Sequence, residues 1–529
     1  MSPPTESDRL LAALREPRSY PEATGPVELI ETHISWVFLA GEYAFKVKKP
    51  VNLGFLDFST LEKRRFFCEE ELRLNRRTAP GLYIGVVPIV DSPDGTRVGG
   101  SGQTIDYALK MRRFPQGALA DSVARRGELR AAEADAIAGV VAAFHATIPA
   151  APDGSKYGSP AHVAAPALQS LEQLGGLVSD AGGKARLAEL HDWTRRESSR
   201  LREVLAARKR DGFVRECHGD LHLGNIVFLD GRPTPFDCIE FDPDLRWIDV
   251  MNEVSFLVMD LLEHNLDAAA WRFLNAYLET TGDYAGVRVL RYYLVYRAMV
   301  RAKIACIRAR QPEAGEAAQG RARREYGDYL ALAGRLAASP RPAIVLMHGL
   351  SGSGKTSIAQ TMLERIGAIR VRSDVERKRL HGLEARARTQ ADPDGGIYAP
   401  EETRLTYDRL EQVACHVVES GYCVIVDAAF LWGAERERLR SLARRRGVPF
   451  LIVSCRAREE TLRERIARRE AAMSDASEAG VAVLETQLAT QDPLGADELA
   501  YAAPIDSEWN EGRLRQAIDG IADRLSATV

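Results

Sequence analysis

Cysteine is scarce and unpatterned in this chain: seven residues, Cys68, Cys217, Cys238, Cys306, Cys415, Cys423 and Cys455, are spread over 529 positions with no CxxC pair. An odd number at such spacing argues against a disulfide framework or a zinc site, so reduced, buried thiols in a cytoplasmic protein are expected. Long apolar runs are also missing. No stretch approaches the roughly 18 residues that a membrane helix needs, and the first twenty residues mix both charge signs without an apolar core, so neither a membrane span nor a secretory signal is expected. An excess of either charge is lacking as well: 71 basic against 74 acidic residues leave a formal charge of −3. A global attraction to nucleic acid is therefore not expected, and any polyanion site has to be local.

What is present is enough chain for at least two cores, since single cores stop growing well below this length. Around residues 329–349, YLALAGRLAASPRPAIVLMHG, a helical Ala/Leu pattern meets Ser339, Pro340 and Pro342, then an apolar strand-like run. Proline disfavours continuation of the helix, which places a division near 338. Before it, residues 35–50 alternate around a Gly-Glu turn as a hairpin does, whereas 61–77 has helical spacing. Further apolar runs at 82–90 and 104–114 extend a small sheet, and from about 118 to 338 the pattern is mainly helical, interrupted at 213–242. After the division, strand signals (343–347, 368–371, 422–426, 449–454) alternate with helical ones (353–366, 401–419, 435–446, 458–472), the signature of a parallel sheet flanked by helices. Only short Gly/Ser/Asp patches such as 390–397 look irregular.

Two motifs carry chemistry. In GLSGSGKTS, Gly349, Gly354, Lys355 and Thr356 complete G-x-x-x-x-G-K-[ST] directly after a strand and before a helix. The glycines let backbone N–H groups of the loop, which also contains Ser351, Gly352, Ser353 and Ser357, close around phosphate oxygens. Lys355 can reach the β/γ oxygens and Thr356 can ligate Mg²⁺. Asp427 ends the strand CVIVD and suits the Walker B role, although a strand-terminal Asp also caps helices. RVRSDVERKRL supplies Asp374, Arg377 and Arg379 after another strand. Arg465 and Arg469 lie four apart on one helical face, where solvated pairing with glutamates accounts for them.

The second motif is HGDLHLGN, residues 218–225. It reproduces the spacing of the kinase loop H-R-D-x-x-x-x-N, with Asp220 five positions before Asn225, and PFDCIEFD adds Asp237 twelve positions later, where a metal-binding Asp of D-F-G type would fall. In that arrangement Asp220 accepts or orients the acceptor hydroxyl's proton while Asn225 and Asp237 hold Mg²⁺ against the phosphates. Glu240, Asp242, Asp244 and Asp249 crowd the same region.

The first motif set resembles the P-loop small-molecule kinases of the zeta-toxin-like, gluconate and chloramphenicol kinase kind. The resemblance implies that Asp374 acts as base, Arg377 as a substrate or phosphate contact, and Arg465 and Arg469 as lid arginines that neutralise the charge of the transferring phosphoryl group. The second set resembles the aminoglycoside phosphotransferase branch of the kinase-like fold across most of residues 25–335. That resemblance implies Asp220 as catalytic, Asn225 and Asp237 as metal ligands, and a small-lobe lysine on the α/β-phosphates. Lys46 and Lys48 are both candidates on one strand face, with Lys46 favoured by analogy to V-A-I-K. Glu70 and Glu71 are the nearest partner acids, and Glu70 is the expected one. Two departures stand out: no G-x-G-x-x-G precedes Lys46, and D-C-I replaces D-F-G.

The fold expected is thus an α+β, protein-kinase-like two-lobed domain followed by an α/β P-loop NTPase domain with a parallel sheet. Its expected parts are an extension over 1–24, a kinase-like domain over 25–338 (small lobe about 25–115, large lobe about 116–338) and a P-loop domain over 339–529. The order resembles bacterial fusions of aminoglycoside phosphotransferase and ATP-binding units. The expected function is a bifunctional phosphotransferase using ATP and Mg²⁺ on hydroxyls of small molecules. The alternatives are a regulatory protein in which one domain senses ATP, and a nucleic-acid end kinase in the second half.

Overall fold

The computed structural model describes residues 5–22, 25–54, 56–178, 180–311, 315–338, 341–385, 387, 396–472 and 477–527. Ser339 and Pro340 at the expected join, and most of the 390–397 patch, lie outside them. The chain divides into two compact units: Met1–Leu129 with Ala143–Ser159 and Arg208–Leu257, and Arg130–Ala142 with Pro160–Ala207 and Val258–Val529.

In the first unit, alternating apolar residues build an antiparallel sheet from β1 (Glu28–Glu31), β2 (Ser35–Ala40), β3 (Tyr43–Lys48), β4 (Tyr83–Ser92), β5 (Gly95–Val98) and β6 (Gln103–Arg112), in the order β1-β2-β3-β6-β4-β5. The Gly41-Glu42 turn sets Val37 opposite Lys46. One face buries Trp36, Phe38, Phe45, Val47 and Ala108, and the short helix Glu6–Leu14 adds Leu14 to that core. That helix begins at a Thr5/Asp8 capping box, a signal available in the sequence of the N-terminal extension. The helix Leu61–Asn75, capped by the Thr60 hydroxyl, brings Glu71 and Asn75 into the interior. Two small antiparallel pairs follow: β7 (Val214–Glu216) with β10 (Trp247–Asp249), and β8 (Ile226–Leu229) with β9 (Arg232–Pro235).

In the second unit, β11 (Ala343–His348), β12 (Ile369–Arg372), β13 (Cys423–Asp427), β14 (Phe450–Arg456) and β15 (Ala502–Asp506) form a fully parallel sheet ordered β12-β13-β11-β14-β15. Every residue of β11 and β13 is buried, as continuous apolar runs between two helical layers require. The helix Lys355–Ile366 drops Ile358, Ala359, Met362 and Leu363 onto this sheet. The helix Asp267–Thr281, which precedes the P-loop segment in sequence, also packs here: Trp271 joins the core around Met362 and Ile425. The arrangement is the expected kinase-like fold followed by a P-loop domain with a parallel sheet. Two elements at its edge, β15 and the helix Glu511–Ala527, had no counterpart in the sequence reading.

Candidate functional site

The first unit assembles HGDLHLGN around a buried histidine. His218 Nε2 lies 2.8 Å from the Phe236 carbonyl, which can only accept, so that nitrogen carries the proton and Nδ1 faces the Asp220 N–H at 3.4 Å. Burial holds His218 below the ordinary imidazole range, so it stays neutral and this tautomer persists. Gly219 has φ +90°, and a Cβ there would stand 2.9 Å from the Leu245 carbonyl oxygen, so the position between His218 and Asp220 requires glycine. Its N–H donates to Glu253 Oε1 at 2.7 Å, while Glu253 Oε2 meets His145 Nε2 at 2.8 Å. Burial pushes the Glu253 carboxyl up, but the hydrogen bond with His145 and the one from the Gly219 N–H outweigh it and hold the carboxyl below its ordinary range.

The Asn225 amide nitrogen donates to both the Asp220 carbonyl (2.9 Å) and its carboxylate (3.0 Å), so the side-chain oxygen is the Asn225 atom that could hold a metal ion. Asp237 sits in the left-handed region at φ +63°, with its N–H on the Tyr83 hydroxyl at 3.1 Å. Lys46 Nζ reaches Asp237 at 2.5 Å and Glu71 at 2.8 Å. Burial alone would lower the Lys46 pKa, but Asp237 and Glu71 hold it well above the usual range.

Lys48, wholly buried, bonds the other Glu71 oxygen at 2.7 Å and pairs with Glu240. Burial pushes the Glu240 carboxyl up by more than Lys48 pulls it down. The acid at Lys46 is therefore Glu71, not Glu70. One position away on the helix, Glu70 is turned by about 100° and instead bonds Arg73 at 2.7 Å and Arg246 at 2.9 Å. The structure thus brings together Lys46, Asp220, Asn225 and Asp237 in one unit, and adds Glu71, Glu253 and His145. Glu253 and His145 had no motif to mark them.

In the second unit a cavity of about 610 Å³ is lined by Ser351, Gly352, Gly354, Lys355, Thr356 and Ser357 of the loop, with Asp374, Asp427, Arg465 and Arg469. The loop can wrap this tightly only with glycine. Gly349 has φ +142° and its Cβ would lie 2.4 Å from the Cys455 carbonyl oxygen; Gly352 has φ +82° and would press on the Leu462 carbonyl at 2.8 Å. Gly349 and Ser353 underpin the loop without lining the cavity, and Ser353 is buried. Lys355 Nζ donates to the carbonyls of Gly349 and Leu350, both at 2.8 Å. Burial draws its pKa down, opposed by Asp427 and Asp374.

Asp427 closes β13 opposite Arg372 of β12. Burial raises its carboxyl above the ordinary range despite Arg372, Arg370 and Lys355, and the Thr356 hydroxyl hydrogen-bonds it. Its Oδ2 is buried and makes no hydrogen bond among the described residues. A buried carboxylate oxygen without a hydrogen bond, beside the Thr356 hydroxyl, fits a hard divalent cation with oxygen ligands.

Asp374, in the first turn of the helix Ser373–Leu380, faces the cavity. Arg377 donates to the Ile397 carbonyl at 2.9 Å and Thr403 at 3.0 Å, and stacks on Tyr398. Arg379 leaves the cavity to pair with Glu376. Arg465 is anchored, with 2.6 Å to the Ser507 hydroxyl and 3.3 Å to the Gly352 carbonyl, and Arg469 bonds the Ala479 carbonyl. Sequence reasoning missed Arg372, Arg468 and Gln487, which also line the cavity. Arg468 was within reach, three positions after Arg465 on the same helical face. Gln487, whose Oε1 accepts the Ser351 N–H at 2.9 Å, comes from a separate helix and had no local signal.

Comparisons with known proteins agree with the two-part arrangement. Residues 69–290 match the model of the phosphotransferase enzyme family, and residues 344–494 match an AAA domain model. Uncharacterized proteins of Mycobacterium tuberculosis and Mycobacterium bovis are each 30% identical over 475 residues, covering 88% of this chain and 91% of theirs. Among solved structures, an amicoumacin kinase in complex with AMP-PNP and Ca²⁺ aligns with 63% of this chain and 93% of its own at 13% identity and a TM-score of 0.38. A gluconokinase from Sinorhizobium meliloti covers 36% of this chain and 96% of its own at 22% identity and a TM-score of 0.26.

Proposed function

We propose a function from one premise: the chain belongs to the family of two-part proteins shared with these mycobacterial sequences, a phosphotransferase-family segment followed by an AAA-type P-loop segment, and it is an enzyme of the kinase type. The reading is a bifunctional phosphotransferase that moves the γ-phosphoryl group of ATP to hydroxyls of small molecules, with one site in each half and the division near 338. The observation that carries it is that each unit gathers phosphate-handling groups of its own, Lys46, Asp220, Asn225 and Asp237 in the first and the 349–356 loop with Asp374 and Asp427 in the second.

In the first site, Lys46 fixes the α/β-phosphates and Glu71 fixes Lys46. Asp220 takes the proton from the acceptor hydroxyl as its oxygen bonds the γ-phosphorus, and the bond to the β-phosphate oxygen breaks to release ADP. Asn225 and Asp237 would hold Mg²⁺. In the second site, backbone N–H groups of the 349–356 loop and Lys355 grip the phosphates, Asp374 serves as base, and Arg465 and Arg469 offset developing charge. Thr356 and Asp427 would hold Mg²⁺ there. Bound at either site, Mg²⁺ would neutralise charge on the phosphate oxygens. The reading places both activities in the cytoplasm, with small molecules as partners.

The test is a metabolite extract incubated with ATP and full-length chain carrying Asp220→Ala or Lys355→Ala, read by mass shift. Two catalysts predict that each variant loses a different set of phosphorylated products. The missing glycine-rich loop ahead of Lys46 favours a second reading, in which the first half binds ATP to control the second. That reading predicts loss of every product from either variant. No phosphorylated product from unmodified protein would remove both.

A further inference from the structure

The P-loop site leans on residues outside the P-loop segment. In the helix Asp267–Thr281, the Asn275 amide donates to the Ala368 carbonyl at 2.9 Å and its oxygen accepts the Arg370 N–H at 2.7 Å, clamping the start of edge strand β12. One turn on, and so on the same face, Glu279 splits its carboxylate between two guanidinium groups: Oε2 meets Arg370 at 3.0 Å and Oε1 meets Arg372 at 2.9 Å. Both arginines touch the nucleotide machinery. Arg370 donates to the Thr356 carbonyl at 3.4 Å. Arg372 lines the cavity, and its Nε stands 4.0 Å from Asp427 Oδ2, the buried oxygen that makes no hydrogen bond among the described residues.

That geometry sets two acids in competition for one cation. A guanidinium close to Asp427 would satisfy the carboxylate meant for a divalent ion if nothing held it back, because charge-assisted contacts in a buried site are strong. Glu279 supplies the restraint. We propose that Glu279 is a positioning residue of the P-loop site, holding Arg372 off Asp427 and Arg370 against Thr356, so that Asp427 stays open to a divalent cation. The P-loop site is then completed by a residue from the segment that matches the phosphotransferase family, at 69–290. This inference rests on reading the 349–356 loop as a nucleotide site.

The experiment uses full-length chain, Mn²⁺ as probe by electron paramagnetic resonance in the presence of ADP, and a fluorescent ADP analogue for nucleotide affinity. The bound Mn²⁺ lost on Lys355→Ala defines the site. Glu279→Gln is expected to weaken that Mn²⁺ roughly tenfold or more, while ADP-analogue affinity at saturating metal changes by no more than about threefold. Adding Arg372→Gln to Glu279→Gln should restore Mn²⁺ affinity, since the competing cation is gone; a merely structural role predicts no rescue. Arg272→Gln serves as control, because Arg272 lies on the same helix as Glu279 but pairs with Asp135 and Glu364 instead, so its loss should leave Mn²⁺ binding unchanged. Wild-type Mn²⁺ affinity in Glu279→Gln, failure of the rescue, or an equal loss in Arg272→Gln overturns the proposal. If no bound Mn²⁺ in the unmodified chain depends on Lys355, the nucleotide reading of the loop fails, and the inference with it.

Discussion

Replacing Glu71 with glutamine should cripple nucleotide binding at the first site, whereas the same change at its neighbour Glu70 should not. Glu71 is fully buried and uses both oxygens on ammonium groups, Lys46 at 2.8 Å and Lys48 at 2.7 Å. Glutamine keeps one acceptor and points an amide donor at the other ammonium, so at least one charge-assisted bond is lost and a donor faces a cation. Such a bond contributes about 1.5–3 kcal/mol. Lys46 retains Asp237 and would swing toward it, away from the phosphates. The loss in affinity is therefore about 10- to 150-fold. Glu70 bonds Arg73 and Arg246 and makes no hydrogen bond to Lys46 among the described residues, so Glu70→Gln should shift nucleotide affinity by less than about threefold, even where it costs some stability. The assay is titration with a fluorescent ATP analogue and Mg²⁺ in a Lys355→Ala background, which silences the second site. Wild-type affinity in Glu71→Gln, or a larger loss in Glu70→Gln, would refute the placement of the lysine–acid pair.

Gly219→Ala forces a Cβ toward the Leu245 carbonyl at a left-handed φ, a strain of about 1–3 kcal/mol, so phosphoryl transfer at the first site should drop by about 5- to 150-fold while products that depend on Lys355 persist. Equal product yields would show that the loop tolerates a side chain. His348, at the end of β11, is held down to about 4 by burial and then by Arg436 and Lys355. A depressed folded-state value means that the unfolded chain protonates first: the neutral-histidine contribution is intact above about pH 6.5 and is lost as pH falls toward 4, up to about 3 kcal/mol. Hydrogen exchange of the strand Ala343–His348 should show that loss in the unmodified chain and a flatter profile in His348→Asn; identical profiles would assign the acid sensitivity elsewhere.

Much of the scaffold was legible because its strands are chemically extreme. Residues 343–347 and 422–426 are unbroken apolar runs of the sort only a two-faced parallel strand needs, and their partners in the hydrogen-bonded sheet alternate with amphipathic helices. By contrast, β15 reads AAPID: short, broken by Pro504, and tolerated as a strand only because it lies at the sheet edge. The motif residues were legible because phosphate chemistry constrains their spacing along the chain. Glu70 and Glu71 could not be told apart, since both fit the order and only the rotation of a packed helix chooses between them. Glu253, Gln487 and Glu279 were invisible for a related reason: each acts on a group more than thirty residues away in sequence, and nothing local marks such a partnership.

Trp271 lies against Gly367, where a Cβ would come within 2.8 Å of the indole, and Asn275 and Glu279 follow on the same helix. Fused proteins are often pictured as beads that recombination can restring at will. Here an exchange at residue 339 would import a P-loop half whose edge strand had never met this helix. Even one larger residue at position 367 would be refused by the tryptophan. Lineages that keep the fusion should therefore inherit both halves together, with changes at 271, 275 and 279 matched by changes at 367 to 372.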